Sequence, residues 1–126
     1  MKIAVLGAGA MGRLFAAGLS RRHDVLLMDR NMEKVRTLER EGIALVEQDG
    51  AREVFRPRVA VMGSRQQPAD VAVVFVKAMG TRAALDGCRS LIGPETLLLT
   101  LQNGGGHEET LAEFAPLSRV LIGTTQ

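Results

Sequence analysis

The sequence predicts an α/β fold of the Rossmann type, doubly wound, in which helices cover both faces of a mostly parallel sheet. Short apolar runs that fit strands buried on both faces recur along the chain. Segments with the spacing of amphipathic helices lie between these runs. The first strand leads into a glycine-rich loop that opens a helix, as in dinucleotide-binding folds. This loop reads Gly7-Ala8-Gly9-Ala10-Met11-Gly12.

The composition indicates one soluble globular domain. The chain has 126 residues, 46% hydrophobic and 24% charged, with a formal net charge of +2. Since no basic stripe with stacking aromatic residues is present, we do not expect nucleic-acid binding. No apolar run approaches the roughly 20 residues that span a membrane, so we expect a cytoplasmic protein. The one cysteine, Cys88, fits a reducing compartment, and cysteine and histidine are too few for a metal site.

The first part of the chain predicts two strand–helix units. Residues 3–6 form an apolar run that ends at a glycine, which predicts a buried strand. The helix that follows has an apolar face at helical spacing, formed by Met11, Leu14, Phe15, Gly18 and Leu19. Residues 25–28 predict a second buried strand. Asn31 can cap the next helix, which ends near Gly42. The apolar positions of this helix are Met32, Val35 and Leu38.

The remainder predicts a change of pattern and then further strand–helix units. Residues 43–62 alternate in polarity around an Asp49-Gly50 turn signal, which indicates two or three strands, partly antiparallel. The elements after this region are a strand, a helix, a strand, a short helix and a strand, over residues 71–76, 81–92, 97–101, 108–114 and 120–122.

Each glycine of the loop suits the binding of a dinucleotide. Gly7 allows a tight turn out of the strand, Gly9 lets the backbone approach a pyrophosphate, and Gly12 lets the helix pack closely on the strand. The backbone N–H groups at the helix start then face the phosphates, with the positive end of the helix dipole behind them. A structural turn in an unrelated α/β protein is the alternative, and the strand–loop–helix–strand context argues against it.

Two residues at the end of the second strand give opposite indications about the cofactor. Asp29 lies near the position where an acidic residue binds the ribose hydroxyls of NAD. Arg30 could pair with the additional phosphate of NADP, or could be a solvated arginine before a helix. These two residues alone do not decide whether the cofactor is NADP or NAD.

Polar residues also follow two later strands, where ligands of open parallel sheets bind. Lys77 could contact a cofactor phosphate, a ribose or a substrate carboxylate, or could be a solvated loop lysine. Asn103 offers a donor and an acceptor near the expected nicotinamide position, although Asn-Gly turn chemistry explains it equally well. His107 fits an exposed or capping position better than a catalytic one, and Cys88 fits the core.

Taken together, these motifs resemble the N-terminal domain of the ketopantoate reductase (2-dehydropantoate 2-reductase) family. The resemblance covers essentially all of the chain. The residues that carry it are Met1-Lys2-Ile3-Ala4-Val5-Leu6-Gly7-Ala8-Gly9-Ala10-Met11-Gly12, Arg30, Val76-Lys77-Ala78, Leu101-Gln102-Asn103-Gly104 and Gly123-Thr124-Thr125. The phosphate loop is shared by dinucleotide binders in general, whereas the later motifs in this order are much more specific.

The resemblance implies an enzyme that uses NADPH to reduce ketopantoate to pantoate, on the route to pantothenate and coenzyme A. It implies that Arg30 binds the 2′-phosphate, that Lys77 contacts the cofactor, and that Asn103 contacts both nicotinamide and substrate. Asp29 departs from the family pattern and keeps NAD open, and His107 stands where relatives often carry a small polar residue.

The resemblance also implies a second domain. In this family the proton-donating lysine and most substrate contacts lie in a helical C-terminal domain, which we expect beyond residue 126. We therefore expect no main catalytic residue within the chain, and we expect cofactor binding without turnover by the chain alone. The expected partner is a small 2-keto acid; homodimer formation stays open.

Two other functions remain open at this point. The first is a dehydrogenase that acts on a different 2-keto or 2-hydroxy acid. The second is a nucleotide-sensing regulatory domain, as found attached to transporters, which gives no reason for Lys77 together with Gln102-Asn103-Gly104.

Overall fold

A computed structural model of the chain describes residues 1–46, 48–75, 78–100 and 107–122. Strands and helices alternate along most of it. They are β1 Lys2–Leu6, α1 Ala10–Leu19, β2 Asp24–Asp29, α2 Met32–Glu41, β3 Ile43–Val46, β4 Arg52–Phe55, β5 Arg58–Val61, β6 Val71–Val74, α3 Ala78–Gly87, β7 Leu97–Thr100, α4 His107–Ala112 and β8 Val120–Ile122. None of the described helices is long and apolar enough to cross a membrane.

Six of these strands form one sheet in the order β5-β2-β1-β6-β7-β8. Every neighbouring pair in this sheet is parallel. The chain builds outward from β1 in one direction and then from β6 in the other, so the strand order reverses between β1 and β6. This arrangement confirms the predicted Rossmann-type fold and places a topological switch point at the β1–β6 boundary.

Helices cover both faces of the sheet because successive strand residues point to opposite sides. On one face Val5 and Leu27 are buried in a cluster that includes Ala16 of α1 and Leu38 of α2. On the other face, an apolar cluster joins the sheet to α3 and α4. Its members include Leu6, Met28, Val74, Leu85, Leu98 and Leu111. Cys88 is fully buried in this second cluster, as predicted.

Residues 43–62, where the sequence pattern changes, form an antiparallel hairpin, β3–β4, before the chain joins the main sheet again as β5. The side chain of Asp49 accepts a hydrogen bond from the Ala51 N–H at 2.9 Å, and Gly50 has a φ of +86°. Ile43 and Phe55, which pair across the hairpin, are buried in the cluster over α1 and α2. The predicted two or three strands, partly antiparallel, are confirmed.

The predicted apolar face of α1 is only partly correct. Phe15 and Leu19 are half-buried, and Leu19 packs against the cluster on this side of the sheet. Met11 and Leu14 are 43% and 48% exposed, and Gly18 is also exposed. The helix instead buries Gly12, Ala16 and Ala17, and its residues contact β1 and β2. Close packing on the sheet selects the smallest side chains, which an apolar spacing pattern weighted toward large residues does not detect.

Other boundaries differ by a few residues. Helix α3 begins at Ala78, before the predicted start at Thr81, and a short 3₁₀ turn over Arg89–Leu91 follows it in place of continuous α-helix. Met32 of α2 is 45% exposed, although Val35 and Leu38 are buried as predicted. Asn31 does cap α2, since its side chain accepts a hydrogen bond from the Lys34 N–H at 3.1 Å.

Candidate functional site

A cleft of about 950 Å³ lies at the carboxyl ends of the strands, across the switch point. Its walls come from the loop after β1, the end of β2, the start of α2, the residues after β5 and β6, and α3. The lining residues are Gly7, Ala8, Gly9, Asp29, Arg30, Asn31, Lys34, Met62, Gly63, Phe75, Ala83, Ala84 and Gly87. Ligands of doubly wound folds bind at this position.

Glycine suits each of the three loop positions for a different structural reason. Gly7 has a φ of +115°, a conformation that side chains with a Cβ rarely adopt. A Cβ on Gly12 would collide with the carbonyl oxygen of Gly7, so α1 can approach the loop only with glycine there. A Cβ on Gly9 would meet nothing within 4 Å, so this position opens into the cleft. The loop therefore has the shape that brings backbone close to a ligand.

The start of α1 offers backbone donors to this space. Gly9 is the N-cap and provides no side-chain hydrogen bond to the helix. The first helical hydrogen bond runs from the Arg13 N–H to the Gly9 carbonyl at 3.0 Å. Within the part of the chain that the structure describes, the N–H groups of Ala10 and Met11 have no acceptor. Such free N–H groups at the positive end of a helix suit a phosphate group.

Asp29 fixes the phosphate loop to the end of β2. One carboxylate oxygen accepts a hydrogen bond from the Ala8 N–H at 2.9 Å, and the other accepts one from the Asn31 N–H at 3.0 Å. The Gly7 N–H donates to the Met28 carbonyl at 2.8 Å. These hydrogen bonds within the chain hold the loop in place against the end of β2. The sequence pointed to Asp29 as a ribose ligand and did not reveal this contact with the loop.

Two cations, Arg30 and Lys34, line the cleft beside Asp29. Both are exposed, and neither forms an ion pair with a carboxylate among the described residues. Arg30 was predicted from the sequence, whereas Lys34 was not. The sequence did contain a signal for Lys34. It is the third residue of a helix capped by Asn31, and the first turn of such a helix lies next to Arg30, the residue before the cap.

The opposite wall is apolar and combines small residues with Met62 and Phe75. Gly63 has a φ of +98°, and its N–H donates to the Gly87 carbonyl at 2.9 Å, which joins the segment after β5 to the end of α3. Phe75, after β6, packs on Phe15 with a centroid distance of 5.0 Å. Met62 and Ala84 complete a surface that suits a flat aromatic group.

The predicted site residues fall into three groups. Gly7, Ala8, Gly9 and Arg30 line the cleft. Ala10, Met11 and Gly12 form the first turn of α1, with Gly12 buried. Lys77 and Asn103 lie outside the described residues, as do residues 101–106 and 123–126 that carry the later motifs.

Cys88 is not placed for chemistry. Its sulfur lies 3.9 Å from the sulfur of Met28 in the core, and burial raises the pKa of the thiol to about 11. A thiol in this state is a poor nucleophile.

Comparison with known proteins decides the family. The model of the ketopantoate reductase PanE/ApbA family matches residues 3–126. The chain belongs to this family. Among its ketopantoate reductase relatives, the 2-dehydropantoate 2-reductase of Halobacterium salinarum is 36% identical over 127 residues, which cover 99% of this chain and 41% of the relative. That of Streptococcus pyogenes is 31% identical over 129 residues, which cover 99% of this chain and 40% of the relative.

The chain is also similar to solved structures of oxidoreductases. The ternary structure of D-mandelate dehydrogenase with NADH and anilino(oxo)acetate superposes with a TM-score of 0.90 at 32% identity. The match covers 98% of this chain and 40% of that one. The chain thus spans about two fifths of the length of the relatives it matches.

Proposed function

We propose that this chain is the cofactor-binding part of an NADPH-dependent ketopantoate reductase, which converts 2-dehydropantoate to pantoate in the synthesis of pantothenate and coenzyme A. The observation that carries the proposal is the cleft at the switch point. It combines an open Gly9, free N–H groups at the start of α1 and an unpaired Arg30, within a chain that belongs to the family.

The described residues suggest how a dinucleotide would be held. The N–H groups of Ala10 and Met11 would bind the pyrophosphate, which Gly9 allows to come close to the backbone. The apolar wall at Met62 and Ala84 would hold the adenine. Arg30 would bind the 2′-phosphate through its planar, bidentate guanidinium. These groups orient the cofactor and exclude water; they do not carry the chemistry themselves.

The reaction itself is a two-electron reduction of a keto group. A bound reduced nicotinamide would supply the hydride to the keto carbon. The family resemblance assigns Lys77 to cofactor contact and Asn103 to alignment of the keto acid with the nicotinamide. The keto oxygen must gain a proton, and in the proposal this comes from a lysine of a helical C-terminal domain.

The proposal is tested by following the oxidation of NADPH and of NADH by the full-length protein, with ketopantoate and other 2-keto acids in parallel. We expect rapid oxidation of NADPH with ketopantoate. No turnover of ketopantoate with either cofactor, by protein shown to bind one of them, would remove the substrate assignment and leave the cofactor site standing.

A second function is favoured by a specific pair of observations. Asp29 ends β2, where an acidic residue can bind the ribose hydroxyls of NAD, and the D-mandelate dehydrogenase that superposes on this chain was solved with NADH. Faster turnover of NADH than NADPH, with a 2-keto acid other than ketopantoate, would support an NAD-dependent 2-hydroxy acid dehydrogenase instead.

A further inference from the structure

Lys34 is a second cation that lines the same cleft as Arg30. The side chain of Asn31 accepts a hydrogen bond from the Lys34 N–H at 3.1 Å and so fixes the first turn of α2. This turn brings Arg30, Asn31 and Lys34 onto one wall of the cleft, next to the phosphate loop.

The charges on this wall favour an anion. Among the described residues, Arg21, Arg58, Arg82 and Arg89 are each paired with a carboxylate, whereas other exposed cations, such as Arg36, form no ion pair. Arg30 and Lys34 are not paired in this way among the residues that the structure describes. Asp29 is the one acidic residue among those that line the cleft, and its two oxygens already accept backbone N–H groups from Ala8 and Asn31. The wall therefore has two cations without an ion pair and one carboxylate whose two oxygens both accept hydrogen bonds from backbone N–H groups.

We propose that Lys34 is a second ligand for the 2′-phosphate of NADP(H), and that Asp29 positions the phosphate loop rather than selecting NAD. The inference rests on the proposed NADP(H)-dependent function. A phosphate monoester carries nearly two negative charges at neutral pH, so one guanidinium leaves charge uncompensated. A lysine on a flexible stem can supply the second charge without a fixed geometry. The ribose hydroxyls of NAD would gain little from either cation.

The test compares the affinities for NADP⁺ and NAD⁺ in the full-length protein by calorimetric titration, which needs no turnover. In Lys34→Gln we expect the affinity for NADP⁺ to fall about tenfold and that for NAD⁺ to change less than about twofold, as for the loss of one charge-assisted contact. Lys34→Arg should keep most of the NADP⁺ affinity. Arg36→Gln is the matched control, since Arg36 is an exposed cation of the same helix that does not line the cleft. It should leave both affinities unchanged.

Several outcomes would overturn the inference. It fails if Lys34→Gln leaves NADP⁺ binding unchanged, if it weakens both cofactors equally, or if Arg36→Gln has the same effect. It also fails if the unaltered protein binds NAD⁺ more tightly than NADP⁺. The role of Lys34 and the identity of the substrate can fail independently. A selective loss of NADP⁺ affinity in Lys34→Gln, in a protein that does not turn over ketopantoate, would support Lys34 as a phosphate ligand and rule out ketopantoate as the substrate. Turnover of ketopantoate, with no selective loss of NADP⁺ affinity in Lys34→Gln, would support ketopantoate as the substrate and rule out Lys34 as a phosphate ligand.

Discussion

At the scale of single residues, two glycines of α1 differ sharply in what surrounds them. A Cβ at Gly12 would collide with the carbonyl oxygen of Gly7, whereas a Cβ at Gly18 would meet nothing within 4 Å. We expect Gly12→Ala to lower the free energy of unfolding by about 1–3 kcal/mol through overpacking, and to weaken dinucleotide binding because the loop must shift. Gly18→Ala should be neutral or stabilise by up to about 1 kcal/mol. Urea unfolding of both variants measures this difference, and equal losses would contradict the packing argument.

Asp29 also allows a prediction at this scale. If its carboxylate mainly holds the loop, Asp29→Asn removes one acceptor for a backbone N–H and loosens the loop for either cofactor. We expect the affinities for NAD⁺ and NADP⁺ to fall by similar factors of about five, which corresponds to roughly 1 kcal/mol. A residue that selects NAD through the ribose hydroxyls would instead lose NAD⁺ affinity alone. Parallel titrations with the two cofactors separate these outcomes.

Burial of Cys88 predicts its reactivity and a pH effect. Because burial raises the pKa of the folded thiol to about 11, from a usual value of 9.0, folding favours the neutral thiol. This contribution to stability is complete below about pH 9 and is lost as the pH rises toward 11. We expect a thiol reagent at pH 8 to label Cys88 only as fast as the chain opens, and to label it at once in denaturant. Rapid labelling of the native chain would show that the thiol is accessible.

At the scale of elements, the β3–β4 hairpin is held to the domain by its buried aromatic residue. Phe55 is buried, and the Arg21 guanidinium lies 4.9 Å above the centre of its ring. Arg21 also pairs with Glu53 at 2.9 Å, but both side chains are 53% exposed, so solvent screens this pair.

This difference predicts the order of three variants. We expect Phe55→Ala to cost about 3 kcal/mol of unfolding free energy through the cavity it leaves, and Arg21→Gln to cost less than about 1 kcal/mol. Val54→Ala is the control, since Val54 is on the same strand and 43% exposed, and it should cost less than about 0.5 kcal/mol. Chemical denaturation of the three variants provides the measurement. A loss for Arg21→Gln as large as that for Phe55→Ala would mean that the surface pair, not the buried ring, holds the hairpin.

The elements also show what the sequence could predict and why the rest was missed. Apolar runs such as residues 3–6 identify buried parallel strands directly, because both faces must be apolar. Helix α1 was placed correctly but its buried face only in part, since the exposed Met11 and Leu14 match helical spacing as well as the buried Ala16 and Ala17 do. Only the closeness of the sheet decides between the two faces, and that is a tertiary property. Lys34 could have been found from its place three residues after the predicted cap Asn31, although a single exposed lysine does not by itself indicate a site.

At the scale of the whole molecule, the strand order concentrates the predicted functional residues. The residues that line the cleft lie at or after the ends of β1, β2, β5 and β6, apart from those on α2 and α3. These four strands are neighbours in the sheet, in the order β5-β2-β1-β6. Since all of these strands are parallel, their carboxyl ends share one edge of the sheet. In the proposed binding mode, the adenosine half of a dinucleotide contacts described residues. The nicotinamide half depends on Lys77 and Asn103, which stay predictions from the resemblance.

This division predicts how the 126-residue chain differs from the full-length protein. The chain spans about two fifths of the length of its relatives, and the resemblance assigns the proton donor to a further, helical domain. We expect NADP⁺ at a hundred times its dissociation constant to stabilise the chain by about 2.7 kcal/mol, seen as a rise in its thermal midpoint. The same chain should not oxidise NADPH with ketopantoate, whereas the full-length protein should. Adenosine 5′-monophosphate, which lacks both the 2′-phosphate and the nicotinamide, serves as the control ligand and should stabilise less. Measurable turnover by the chain alone would place the proton donor within these residues and contradict its assignment to a further domain.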